Sequence, residues 1–230
     1  MCLICEGKVC KGMIEPCKNI TQFPELSEDL TELYINKCPE LQLPAKWPVG
    51  LKRLNIVNMN WQTIPPLPDG LIELTFFECS KIILLPKLPN TLKVLKLIKC
   101  INLVNPEKIT PNLTELHINY MLWETLPILP EGLEILDCKD CPWLLFVGEL
   151  PVSVKWLDCR NCTMLQSICR SNTETIYCDN CVNLIIIGEQ RKLFAISCNC
   201  CPKLTYLPIA PELIIINHKG CNPTNINIRR

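Results

Sequence analysis

Leucine and its apolar substitutes return along this chain at a nearly fixed interval. In a recurring Leu-x-x-Leu pattern, the second apolar residue falls at Leu33, Leu54, Leu74, Leu95, Leu116, Leu136, Leu157, Ile176, Ile196 and Ile216, 19 to 21 residues apart. Two positions after each of these markers comes an apolar residue or cysteine: Ile35, Ile56, Phe76, Leu97, Ile118, Cys138, Cys159, Cys178 and Cys198, with His218 in the last copy. Five positions after it comes Cys or Met, as at Cys38, Met59, Cys79, Met121 and Cys162. Most copies then close on a proline-rich segment such as Leu85-Pro86-Lys87-Leu88-Pro89. Ten copies in one register are the signature of a stacked-repeat chain.

Each copy predicts one short strand, because the residues from the marker onward alternate between apolar and variable positions, so alternate side chains face inward. The closing segment cannot be an ordinary helix: each proline removes an N–H and pushes the residue before it out of α geometry. It is predicted to run extended, in polyproline-like fashion. No copy can bury its own apolar edge, so stacked neighbours must supply the core. The predicted fold is an α/β-type repeat solenoid, mostly β: a right-handed superhelix with a concave parallel sheet and an extended, polyproline-like convex side. Residues 1–28 are predicted to form an N-terminal cap with an incomplete repeat, since Cys17 precedes Cys38 by 21 residues, Ile14 takes the inward position and Phe23-Pro24-Glu25-Leu26 echoes the closing segment. The solenoid then spans 29–222, with a C-terminal tail at 223–230.

The pattern L-x-x-L-x-[ILC]-x-x-[CM], followed by L-P-x-L-P, resembles the short leucine-rich repeats of bacterial effectors of the YopM and IpaH type. Similar cysteine-containing copies occur in leucine-rich-repeat proteins of large DNA viruses. The resemblance covers about residues 12–222 and implies the fold far more strongly than any activity. The asparagine usual in such repeats is mostly cysteine here, and no ligase domain of the IpaH kind follows the repeats. Ubiquitin-ligase activity is therefore not implied.

The 23 basic and 23 acidic residues cancel, which argues against nucleic-acid and membrane-surface partners, both of which select for excess Lys and Arg. No run is long and apolar enough to cross a bilayer, and the first residues lack a secretory pattern. The expectation is a cytoplasmic, intracellular protein, host cytoplasm included, in which the Asn-x-Thr sequons at Asn19, Asn112 and Asn161 carry no glycan.

Eighteen cysteines raise a metal or redox reading. Cys138/Cys141, Cys159/Cys162, Cys178/Cys181 and Cys198/Cys201 form four C-x-x-C pairs, spaced like a zinc ribbon. Both members of each pair occupy positions that hold Ile, Leu, Phe or Met in other copies, so the primary reading is reduced, unligated core thiols with no metal and no cofactor. Cys2, Cys5 and Cys10, with Cys17, leave a capping zinc site open. Cys169 and Cys200 fall outside the grid and are expected to be exposed. Catalysis finds no support, because the two histidines, His117 and His218, are far apart and no phosphate loop or nucleophile elbow is present.

The outward strand positions remain. Residues expected to face the groove include Tyr34, Arg53, Phe77, Ile98, His117, Tyr120, Asp137, Trp156, Asp158, Arg160 and Tyr177. Of these, Tyr34, Phe77, Ile98, His117, Tyr120, Trp156 and Tyr177 form the candidate partner-binding set, with Phe77, Tyr120 and Trp156 as anchors, since large rigid aromatics dominate interface energetics. Isolated aromatics also favour strands for packing reasons alone. Trp61, Trp123 and Trp143 read as core fillers instead. The function expected first is a protein-binding scaffold, a viral or bacterial factor acting on a host protein. A structural or self-assembling particle protein comes second, and a Cys-based metal or redox module third.

Overall fold

The computed structural model describes residues 12–14, 16–17, 19–204, 206–208 and 210–221. The chain divides into two compact units, Met1–Pro106 and Glu107–Arg230. Cys2, Cys5, Cys10 and the 223–230 tail lie outside the described residues.

The first unit carries five parallel strands, side by side in chain order: β1 (Met13–Ile14), β2 (Glu32–Asn36), β3 (Arg53–Val57), β4 (Glu73–Phe77) and β5 (Val94–Ile98). Their register follows the repeat. Leu33 stands opposite Leu54, Leu54 opposite Leu74 and Leu74 opposite Leu95, while Ile35, Ile56, Phe76 and Leu97 form the next row. Both rows are buried and make up the core.

The second unit repeats the scheme in β6 (Glu115–His117), β7 (Ile135–Asp137), β9 (Trp156–Asp158), β11 (Thr175–Tyr177), β13 (Ala195–Ser197) and β14 (Ile215–Asn217), adjacent in that order and parallel. Three of its return segments add a second, smaller parallel sheet from β8 (Phe146–Val147), β10 (Ser167–Ile168) and β12 (Ile186–Ile187), with β10 in the middle. At the paired positions these returns read Leu-Phe-Val, Gln-Ser-Ile and Ile-Ile-Ile, with no proline among them, so their N–H groups are free to pair. No α-helix occurs among the described residues, and none is long and apolar enough to cross a membrane.

Every copy leaves its strand through the same turn. The residue four positions after the marker adopts a left-handed backbone: Lys37, Asn58, Glu78, Lys99, Tyr120, Asp140, Asn161, Asn180 and Cys200 have φ between 49° and 61°, and Gly220 takes this place in the last copy. That conformation is costly for most side chains. It is held where the N–H still bonds to the next copy, as it does at Lys37, Asn58, Glu78, Tyr120, Asp140, Asn161, Asn180 and Cys200, for example Lys37 N–H to the Val57 carbonyl (3.0 Å) and Asn161 N–H to the Asp179 carbonyl (2.9 Å).

The turn swings the following residue inward, and this explains the cysteines. Cys79 and Cys100 donate their thiols to the Ile56 and Phe76 carbonyls of the preceding copy (3.3 and 3.6 Å). Cys141, Cys162, Cys181, Cys201 and Cys221 do the same to Ile118, Cys138, Cys159, Cys178 and Cys198, at 2.7 to 3.1 Å. A small apolar side chain with one weak donor suits a buried slot that faces a lone carbonyl. Burial also pushes the Cys141 and Cys198 thiols well above the ordinary thiol range, which disfavours the reactive thiolate.

Copies with cysteine then make a tight turn in which the residue three places on bonds back, as Leu41 N–H does to the Cys38 carbonyl (3.1 Å) and Leu144 N–H to the Cys141 carbonyl (3.3 Å). That turn corrects the reading of Trp143. In Cys141-Pro142-Trp143-Leu144 the inward place is taken by Leu144, and Trp143, in the turn itself, is 51% exposed. Trp61 and Trp123 are buried as core fillers, because the two methionine copies lack this turn and are one residue shorter there. Trp61 Nε1–H donates to the Leu41 carbonyl (2.6 Å) and its ring packs with Phe23 and Trp47.

The two cysteine rows are expected to respond differently to substitution. Cys159→Val changes an inward residue to one of similar volume and should cost less than about 1.5 kcal/mol. Cys181→Val removes the thiol donor from the Cys159 carbonyl and should cost about 1–3 kcal/mol, the usual range when a buried polar group loses its partner. Urea denaturation of both variants checks the difference.

Candidate functional site

The outward face of each sheet is built from three columns: the residue before the marker, the one after it, and the third after it. In the first unit the third column starts at Asn36 and is apolar from there on, with Val57, Phe77 and Ile98 in direct register. These last three are half-buried. Lys99 caps this stripe with Nζ 5.8 Å from the Phe77 ring centre, and it also pairs with Glu78 (3.1 Å). Tyr34 sits in the middle column, between Met13 and Asn55. The first column is charged: Arg53 pairs with both Glu32 and Glu73, and Lys96 reaches Glu73 at 2.8 Å. Such exposed pairs add little stability; they frame the apolar stripe with fixed polar groups.

In the second unit the middle column carries acids. Asp137 and Asp158 point outward from their strands yet are buried, Asp158 completely. They face the groove side of their strands, and they are buried because side chains two residues on fold back over them. Arg160 covers Asp158, with Nε 2.9 and 3.1 Å from the two carboxylate oxygens and Nη2 2.6 Å from Oδ2. This pair raises the Arg160 pKa further. Lys139 covers Asp137 at 3.3 Å.

Asp137 Oδ2 also accepts from Asn119 Nδ2 (3.0 Å) and lies 3.2 Å from His117 Nδ1. A carboxylate can only accept, so Nδ1 carries the proton. His117 is therefore a partner of a buried acid on the outer face. Burial opposes ionisation of Asp137, but the bonds from His117 and Asn119 and the charge of Lys139 outweigh it and hold the carboxyl at about 2, against 3.8 for a free one. A carboxylate with a depressed pKa stabilises the fold above its free value and loses that contribution as pH falls toward the folded value. Asp137→Asn should therefore cost about 2 kcal/mol near pH 6, with the gap from the parent protein closing between pH 4 and pH 2. Denaturant titrations at those pH values test this.

Arg160 does more than cover Asp158. Its guanidinium carbon lies 5.4 Å from the Tyr177 ring centre, and the Tyr177 and Trp156 rings are 5.9 Å apart, inclined at 59°. The result is a fixed group of two half-buried aromatics and one guanidinium, anchored from beneath by a buried acid. Such placement limits the entropy lost when a partner binds.

The structure thus joins Phe77 with Ile98 in one unit and Trp156 with Tyr177 in the other, ties His117 into an acid network and leaves Tyr34 in the middle column of its face, apart from the Phe77–Ile98 pair. Tyr120 departs from the sequence reading. It lies beyond β6 in the left-handed turn, at φ 59°, so it projects from the rim of the strand and not from an outward strand position. Around it runs a polar ladder the sequence reading missed, in which Asn161 Nδ2 donates to Asp140 and Asn180 Nδ2 to Asn161 (2.8 and 2.9 Å). Among the described residues no group of His, Cys, Asp and Glu is arranged to hold a metal.

This arrangement agrees with a solved structure, the leucine-rich repeat domain of the type III effector XopL. The match covers 94% of this chain and 79% of that one, with a TM-score of 0.54 and 17% sequence identity. The fold is a leucine-rich-repeat solenoid. A curated relative, the disease resistance protein RPS4B of Arabidopsis thaliana, is 30% identical over 192 residues. That match covers 73% of this chain, which spans only 16% of that protein's length. No protein-family model matches the chain. The likeness to the effector domain establishes the leucine-rich-repeat fold, and the substitution of cysteine for the usual asparagine leaves its turns intact.

Proposed function

We propose that this chain is a protein-binding scaffold that engages its partner through the outer faces of its parallel strands. The observation that carries this reading is the Trp156–Tyr177–Arg160 group, three side chains of the types that dominate interfaces, packed together with Arg160 bonded to one buried carboxylate. The Val57–Phe77–Ile98 stripe supplies a second contact of the same kind, and Tyr34, His117 and Tyr120 complete the contact set. No catalytic step is assigned to it, nor any nucleic-acid or membrane partner. The similarity to a domain of a type III effector and to part of a disease resistance protein supports a role between pathogen and host. The compartment we propose is the cytoplasm, the host's included, and residues 1–28 and 223–230 act as cap and tail to the solenoid.

Self-assembly is the second reading, and one observation favours it. Among the described residues β14 is the edge strand, with Ile215 exposed in it and Ile214 exposed just before it, and apolar strand edges invite pairing with another chain. A pull-down from host-cell extract separates the two readings, using the parent chain and a Trp156→Ala/Tyr177→Ala variant. Scaffold function predicts a specific heterologous protein retained by the parent and lost by the variant. Recovery of the chain alone, with its own copies, contradicts it.

A further inference from the structure

The return side of the second unit contains a cleft distinct from the sheet face. Two successive return segments part there. Leu145 N–H still reaches the Glu124 carbonyl (3.0 Å), but Ile128 turns its backbone to the copy before, bridging Lys108 and bonding with Glu107 and Ile109. The following return pairs the other way, β8 with β10. Between the two opens a cleft of about 480 Å³, within the range that binds a compact ligand or one or two large side chains.

Its walls are apolar, with Ile128 65%, Phe146 45% and Val152 72% exposed, and with Leu150 alongside. Gly148 leaves the backbone open, since a Cβ there would meet nothing within 4 Å. Two acids, Glu131 and Glu149, stand at the cleft. Neither is in an ion pair among the described residues, and no basic side chain lines the cleft. At Val152 it continues into a depression of about 290 Å³ that shares Glu149, Leu150 and Val152 and contains the Glu189–Arg191 pair and Arg170, the latter outside any ion pair among the described residues. The surface thus runs from apolar with negative charge to polar with charges of both signs, Arg170 among them.

We propose that this cleft is a docking site for an extended peptide segment of a partner protein, with a bulky apolar side chain against Ile128, Phe146 and Val152 and a lysine or arginine against Glu131 and Glu149. The occupant is extended because the walls are two extended return segments lying side by side. Carboxylates beside apolar surface, with no cation of their own, select a cationic neighbour for the apolar group. An acidic residue further along the same segment would meet Arg170.

Panning a random-peptide display library on the full chain tests this, followed by titration of one enriched peptide. The expected peptides carry Lys or Arg within a few positions of a large apolar residue. Glu131→Gln with Glu149→Gln should weaken the chosen peptide at least tenfold, Val152→Asp should abolish its binding, and Trp156→Ala should leave it unchanged. The substituted cleft residues are exposed, so unaltered thermal melting keeps the comparison clean. Enrichment of acidic peptides, no enrichment at all, dimerisation of the chain through Val152, or loss of binding in Trp156→Ala with the cleft variants unaffected would each overturn the proposal.

Discussion

Phe76→Ala is expected to destabilise the chain by about 3–5 kcal/mol, the usual range for deleting a fully buried aromatic. Phe76 is the largest fully buried side chain among the described residues, and it occupies the inward row between Ile56 and Leu97. Removal leaves a void under the Cys100 thiol, which donates to the Phe76 carbonyl, and the neighbouring strands cannot close over it without losing register. A repeat stack is stabilised mainly by nearest-neighbour contacts, so the loss should fall on the first unit. Phe76→Leu, which keeps most of the volume, should cost roughly half as much or less. Urea titration of both variants, followed by far-ultraviolet circular dichroism, measures the difference.

The second large effect concerns binding. Trp156→Ala should weaken a protein partner at least thirtyfold, about 2 kcal/mol, as truncation of a central aromatic anchor does. The substitution deletes one ring of the Trp156–Tyr177 pair while leaving Leu157 and the core untouched. Arg160→Ala should weaken the same partner through a different route, because it removes the guanidinium over Tyr177 and also uncovers the buried Asp158 carboxylate. It is therefore expected to lower stability as well as affinity, whereas Trp156→Ala lowers affinity alone. Calorimetric titration of the partner, paired with thermal melting of each variant, separates the two.

Much of this architecture was legible in the sequence because one repeat length sets every register. The inward rows Leu33–Leu54–Leu74 and Ile35–Ile56–Phe76 follow once the leucines are aligned, and so does the place of Cys79 or Cys162. What escaped depends on local backbone geometry. Trp143 and Trp123 share a spacing from their markers, yet only the two-residue turn after Cys141 decides that one is outside and the other inside. Tyr120 looked like a strand residue until the left-handed turn common to all copies was known. That turn has a faint signature, since Asn58, Asp140, Asn161, Asn180 and Gly220, types that tolerate positive φ, fall at one repeat position.

The buried acids also had a readable sign. Asp137-x-Lys139 and Asp158-x-Arg160 place an acid and a base two residues apart on one strand face in successive copies, and residues i and i+2 share a face. The cleft on the return side had none. It arises where one return segment pairs backward and the next pairs forward, and apolar periodicity does not encode that choice.

The claim that the outer face of the sheet is the contact surface is tested most directly by hydroxyl-radical footprinting of the chain, free and with its captured partner. Trp156 and Tyr177 should lose most of their reactivity on binding, while Trp143, exposed in a turn away from that face, should keep its own. Protection of Trp143 or Phe146 with Trp156 unchanged would contradict the account.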